Sequence, residues 1–209
     1  MNFLAHFHLA WPDAGLVAGG LEGDFCKGPL CGKLEAGIER GVKLHRAVDA
    51  FTDNHPLVAQ LRTELPSPLR RYAGILIDLS FDHYLTIHWS MFSALPLAEF
   101  NRQIYSVLQA HERALSPGSQ RMVQRLIEHD ILGLYHNWDT VPASAARIGQ
   151  RFSRFNPFLE VDRDLAPMKK RLEEVFLAFY PQLIEYSAQQ ERQLNQTWPP
   201  VSKVRPLTH

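Results

Sequence analysis

Hydrophobic positions recur with helical spacing along almost the whole chain after residue 35, and the alternation expected of half-buried strands is nearly absent. Residues 35–52 read as one helix, with Pro56 marking its exit because the residue before a proline, His55, avoids the α region. Residues 57–64 read as a short helix, and Pro66 and Pro68 break the chain again. Residues 69–88 form a long helix whose apolar positions (Ile75, Leu76, Ile77, Leu79, Phe81, Tyr84, Leu85, Ile87) go almost all round, the pattern of a buried central helix. Pro96 opens a helix to about residue 115. After the connector 116–119, with Ser119 as N-cap, another runs to about 135. Further helices cover 141–155 and 165–194, the last with a break expected at Pro181. The glycine-rich stretch 15–33 reads as a short helix and a loop that turn Glu22 and Asp24 inward. The pattern predicts one all-α domain, a bundle of about seven to nine helices over residues 1–194, with 195–209 as a loosely ordered, proline-bearing tail.

Composition narrows the class. Lys and Arg total 22 and Asp and Glu total 22, so the basic excess of a general nucleic-acid binder is missing. The N-terminus has no cation ahead of an apolar run, and His6 and His8 interrupt that run, so it does not read as a signal peptide. No stretch approaches the ~20 apolar residues that span a bilayer. The expectation is a soluble, cytoplasmic protein with neither nucleic acid nor membrane as partner. Cys26 and Cys31, in a C-x4-C arrangement, cannot close a tetrahedral zinc site and read as two reduced thiols.

The chain has 10 histidines, and some of them fall in pattern with aspartates. His45, Asp49 and Asp53 follow at four-residue steps and share one stripe of their helix. Asp78 and Asp82 lie one turn apart in the most apolar helix, with His83 directly after. Buried like charges at that spacing repel, so a cation must lie between or opposite them, either an arginine or a metal ion. The N-terminal segment adds His6, His8 and Asp24. Imidazole and carboxylate donors without thiolate suit Mn²⁺, Fe²⁺, Zn²⁺ or Mg²⁺. Taken singly, each aspartate could equally be a cap, an arginine partner or a solvated side chain; three clusters together favour a metal site.

Histidines and aspartates spread over buried helices, with Asp82 next to His83, resemble the HD-type metal phosphohydrolases, although here the order of the pair is reversed. A closer resemblance is carried by Asn2-Phe3-Leu4-Ala5-His6-Phe7-His8-Leu9, by Gly19-Gly20-Leu21-Glu22-Gly23-Asp24-Phe25 with Lys27-Gly28, by Gly41 to Arg46 running into Val48-Asp49 and Thr52-Asp53-Asn54, by Asp78 with Phe81-Asp82-His83-Tyr84-Leu85 and His88-Trp89, and by Phe179-Tyr180-Pro181. On these residues the chain resembles bacterial acyl carrier protein phosphodiesterases, an HD-like family. It departs from them in carrying Gly20 where asparagine is usual and Lys43 where histidine is frequent.

The resemblance implies an all-helical, Mn²⁺-dependent phosphodiester hydrolase that removes 4′-phosphopantetheine from a serine of holo-acyl carrier protein. Under that reading Asp24, His45, Asp78 and Asp82 are the expected metal ligands. Asp24 is alternatively the base that orients water, and His6 and His83 are expected as the general acid or as partners of the ligands. His8, Asp49 and Asp53 are expected to support the ligands, Asp49 by orienting His45. Carrier proteins of this kind are acidic, so Lys27, Arg46, Arg147, Arg151 and Arg154 are expected to form the docking face. Two other readings stand beside this one: an HD-like hydrolase of a small phosphodiester or nucleotide, and a non-catalytic helical binding protein whose acids make structural ion pairs.

Overall fold

A computed structural model describes residues 1–152 and 156–197, and every regular element among them is helical. The order is α1 (Phe3–Ala10), α2 (Ala14–Glu22), α3 (Ala36–Asn54), α4 (Pro56–Glu64), α5 (Ala73–Ile87), α6 (Trp89–Phe92), α7 (Leu97–His111), α8 (Pro117–Glu128), α9 (Ile131–Leu134), α10 (Thr140–Gly149), α11 (Val161–Leu165) and α12 (Lys169–Thr197). Nine of these have eight residues or more, and short 3₁₀ turns join several of them. No helix among the described residues is long and apolar enough to cross a membrane.

Helix α5 lies at the centre, as its all-round apolar pattern requires: Leu76, Phe81 and Leu85 are fully buried. It begins later than expected. Pro68 supports a 3₁₀ turn over Ser67–Tyr72, and the α-helix starts only at Ala73. Helix α12 packs along α3 and α5 through an aromatic layer in which Phe81 meets Phe176 and Phe179. It continues as one helix through Pro181, where the sequence predicts a break. Burial of Phe176, Phe179, Tyr180 and Leu183 around that point offsets the ~3 kcal/mol cost of an internal proline. Of the expected tail, residues 195–197 belong to α12, and 198–209 lie outside the described residues.

Two other boundaries move for local reasons. Ser116, not Ser119, caps α8: its Oγ accepts the amide of Ser119, and Pro117 occupies the first helical position. The expected helix to 135 is interrupted at Asp130, whose φ of 43° is left-handed and whose carboxylate accepts the Tyr105 hydroxyl at 2.8 Å. The helix expected over 141–155 ends at Gly149.

The closest helix pair is α2 with α3, and it meets backbone to backbone. Gly15 faces Gly37, and Gly19 faces Gly41. A Cβ on Gly19 would lie 2.2 Å from the Ile38 carbonyl oxygen, and one on Gly41 would lie 2.7 Å from the Gly19 Cα. Along this stripe glycine is required for close approach rather than for a turn. One step further along the same stripe, a Cβ on Gly23 would lie 2.3 Å from Cγ of His45.

Candidate metal centre

The bundle brings His6, His45 and Asp49 together, with one ligand atom of each within 4.8 Å of the others. Helix α3 supplies His45 and Asp49 one turn apart, and the bare Gly23 leaves just enough room for the imidazole of His45. Helix α1 brings in His6 from the opposite side. The two imidazoles stack, with centroids 4.0 Å apart and planes at 19°. Nε2 of His6 lies 3.1 Å from Oδ1 of Asp49, and Nε2 of His45 lies 3.1 Å from Oδ2. Asp24, at the end of the turn after α2, places Oδ1 3.9 Å from Nε2 of His45. Asp78 of α5 reaches the same space through the α-amino group of Met1, which stands 3.0 Å from Oδ1 of Asp78 and 3.3 Å from Oδ1 of Asp49.

Burial, followed by the neighbouring His45, pushes the pKa of His6 down to about 3, so this imidazole is neutral. Burial works the other way on Asp49, but the adjoining imidazoles of His45 and His6 hold its carboxyl far below the usual range. The result is an ionised carboxylate set against a neutral ring nitrogen. That nitrogen, buried and 3.1 Å away, forms no hydrogen bond with its neighbour. In the tautomer that turns the Nε2 lone pair toward Asp49, the two atoms form a pair of donors that a cation can bind. Deprotonated carboxylate and neutral imidazole are the forms a metal requires. The residues present therefore fit a divalent ion of the kind that accepts mixed nitrogen and oxygen donors.

The remaining expected residues fall into distinct places. Asp82 is fully buried, and its two oxygens accept the amides of Leu4 (2.8 Å) and Ala5 (3.1 Å), so it caps the first turn of α1. Burial raises its carboxyl to about 7 despite those two donors. Asp82, expected as a ligand, is not among the three grouped residues and holds the start of the helix that carries His6. Asp78 is held up by burial, with the Met1 amino group drawing it down. His83 lies apart from the cluster, with Nδ1 2.8 Å from the carbonyl oxygen of Tyr135 and the ring edge-on to Trp138. His8 lies two residues from His6 and so on the other side of α1. It contacts the Tyr180 hydroxyl at 2.9 Å and the Phe92 carbonyl oxygen at 3.3 Å. Asp53 pairs with Arg62 at the exposed corner of α3 and α4. Asp49, expected as a support for His45, stands instead among the atoms of the cluster.

A cleft of about 350 Å³ opens beside the cluster, lined by Asp24, Lys27, His45, Arg46 and Asp49 among others. Arg46 donates to the carbonyl oxygen of Cys26 at 2.8 Å and so pins the loop that carries Asp24 and Lys27. Glu39 secures the far end of that loop by accepting the amide of Gly32 at 3.0 Å. Cys26 and Cys31 are free thiols. A second cavity of about 380 Å³ shares Asp24 and includes Arg147 and Arg151. Arg154 lies outside the described residues.

A family model for acyl carrier protein phosphodiesterase matches residues 1–183. The chain belongs to the acyl carrier protein phosphodiesterase family. It is 34% identical over 189 residues to the acyl carrier protein phosphodiesterase of Klebsiella pneumoniae subsp. pneumoniae, covering 88% of this chain and 96% of that one. The protein of the same name in Serratia proteamaculans is 30% identical over 195 residues, with 88% and 96% covered. That of Escherichia coli O127:H6 is 30% identical over 193 residues, with 90% and 98% covered. No solved structure matches the chain significantly.

Three features of the site escaped the sequence reading. The glycines at 15, 19 and 23 and at 37 and 41 repeat at four-residue steps, which was a readable signal for two helices in backbone contact. Glu22 turns inward as expected, but its carboxylate serves the start of α8, accepting the Ser116 amide at 3.0 Å and the Ser119 hydroxyl at 2.6 Å. Arg125 of α8 lines the second cavity, and no local pattern sets it apart from other helix-face arginines.

Proposed function

We propose that this protein is a metal-dependent phosphodiester hydrolase that removes 4′-phosphopantetheine from the serine of holo-acyl carrier protein, leaving the apo form. The observation that carries the reading is the His6–His45–Asp49 cluster in a chain of this family. His6, His45 and Asp49 would hold the ion, with Asp24 and Asp78 beside them, and Mn²⁺ is the first choice for mixed imidazole and carboxylate donors. When bound, such an ion supplies Lewis acidity to the phosphoryl oxygens and acidifies water enough for attack at neutral pH.

The chain's own groups divide the remaining work. Asp24, at the open side of the cluster, is placed to accept a proton from the attacking water. Lys27 and Arg46 in the same cleft offset the charge of the phosphodiester, and Arg46 also fixes the loop on which Asp24 sits. Asp82 acts through α1 as a positioning residue for His6. His6, held neutral by burial, suits a ligand better than an acid, and His83, engaged through Nδ1 with the Tyr135 carbonyl, takes no direct part in this reading.

The test is intact-protein mass spectrometry of holo-acyl carrier protein after incubation with the enzyme, with Mn²⁺ or with EDTA. Loss of one phosphopantetheine only in the Mn²⁺ sample is the expected result. An unchanged mass with folded, Mn²⁺-loaded protein would overturn the carrier-protein substrate.

A further inference from the structure

The cavity of about 380 Å³ that meets the metal centre at Asp24 differs in character from the polar cleft on the other side. Its walls are apolar, with Phe3 of α1, Phe25 of the loop, Met122 of α8 and Ile148 of α10 facing inward. Three arginines line it as well: Arg125 half-buried, Arg147 and Arg151 exposed. None of the three has a carboxylate or hydrogen-bond partner among the described residues. A small number of polar groups is interspersed. Asn2 donates to the Tyr135 hydroxyl at 2.8 Å, which leaves its carbonyl oxygen open, and the Ser144 hydroxyl has no protein partner among the described residues.

A volume in this range and a lining of this kind are what a small-molecule subsite requires. The mixture of apolar wall, isolated hydrogen-bonding groups and unpaired cations fits an elongated, amide-containing arm attached to an anion. It does not fit a hydrocarbon chain, which would leave the half-buried Ser144 and Arg125 without partners. Asp24 lines both the cavity and the cleft beside the metal centre, so a phosphodiester held at the centre has its pantetheine arm, which stays on phosphorus while the serine oxygen departs, at the cavity's entrance.

Building on the function proposed above, we infer that this cavity is the specificity pocket for the pantetheine arm, with Arg125 as the cation that fixes the arm's phosphate-proximal end and Arg147 and Arg151 facing the acidic carrier at the mouth. Substrate choice then rests on α8 and α10, elements that contribute nothing to the metal cluster.

The arm is tested apart from the metal by using pantetheine, which carries no phosphate, as the probe. Isothermal titration of the full chain should show pantetheine binding. Ser144→Trp, which fills the cavity, should weaken that binding by about tenfold or more and raise the KM for holo-acyl carrier protein to a similar extent. Should Ser144→Trp fail to give a wild-type helical circular dichroism spectrum, Arg125→Glu on the wall replaces it, with a rise in KM for holo-carrier protein larger than any fall in kcat. Wild-type and folded variant proteins that bind pantetheine equally, or turn over holo-carrier protein with the same KM, would overturn the assignment while leaving the proposed reaction intact. A wild-type protein that binds pantetheine but never shortens holo-carrier protein would instead remove the reaction beneath it.

Discussion

Helix α1 presents two histidines to two different surroundings. On one side His6 meets Asp49 and His45 with a buried nitrogen that makes no hydrogen bond. On the other side, His8 is provided for: one ring nitrogen contacts the Tyr180 hydroxyl, the other lies near the Phe92 carbonyl oxygen, and Trp89 and Phe100 pack edge-on against the ring. Residue type and helix are shared, and burial lowers the pKa of both rings, so none of these separates a functional histidine from a structural one. What separates them is whether the protein itself completes the hydrogen bonding. A completed ring holds the fold together, and an uncompleted one in company with an ionised carboxylate is a place for a ligand.

The sharpest way to break that contrast is at Asp49. Asp49→Asn should lower kcat/KM on holo-carrier protein by about 10³-fold, roughly 4 kcal/mol of transition-state stabilisation, and weaken Mn²⁺ binding in calorimetry, with helical circular dichroism unchanged. Retained activity would return His6 and His45 to the structural class. Next in size is the anchor beneath His6. Asp82→Ala strips two amides of their acceptor and should lower stability by about 3 kcal/mol, a fall in Tm of roughly 6–12 °C. A Tm within a degree of wild type would mean that α1 is held by packing alone.

Gly23→Ala should follow, because its new Cβ collides with the His45 ring. A displacement of that ring by about 1 Å is enough for a loss of about 10²-fold in kcat. On the completed side of α1, His8→Leu leaves the buried Tyr180 hydroxyl without its partner. It should cost about 1–2 kcal/mol in urea unfolding while kcat stays within about twofold. A large loss of kcat would show that the two faces of α1 are not separable. The smallest effect concerns docking: raising the salt from about 50 to 300 mM should raise KM by about threefold, and a double Arg147→Ser, Arg151→Ser variant should flatten that response.

Much of this was legible in the residues. The all-round apolar pattern of residues 75–87 placed the central helix, and the four-residue step from His45 to Asp49 placed one stripe of the cluster. Periodicity, however, says which side chains share a face and not what lies opposite. Asp82 and Asp78 are equivalent by spacing, yet only the packing of α1 across α5 shows that one caps a helix start while the other faces the Met1 amino group. Asp53 continues the stripe of His45 and Asp49, but it falls at the last turn of α3, where the chain bends and Arg62 comes within reach. His83 next to Asp82 looked like part of one site; successive residues on a helix point about 100° apart, and here that angle separates the start of α1 from the Tyr135 carbonyl.

The bare contact between α2 and α3 also bears on how such a protein can diversify. Where two helices touch through main-chain atoms, no alternative side chain can be accommodated by a compensating change across the interface, so positions 15, 19 and 41 are closed to variation in a way that ordinary core positions are not. The walls contributed by Met122 and Ile148 belong to helices outside that contact, and their side chains can be exchanged without disturbing the spacing between His45 and Gly23. A library confined to α8 and α10 would thus search substrate preference with the chemistry held fixed, whereas one spread over the first fifty residues would spend most of its members on chains that no longer assemble a site.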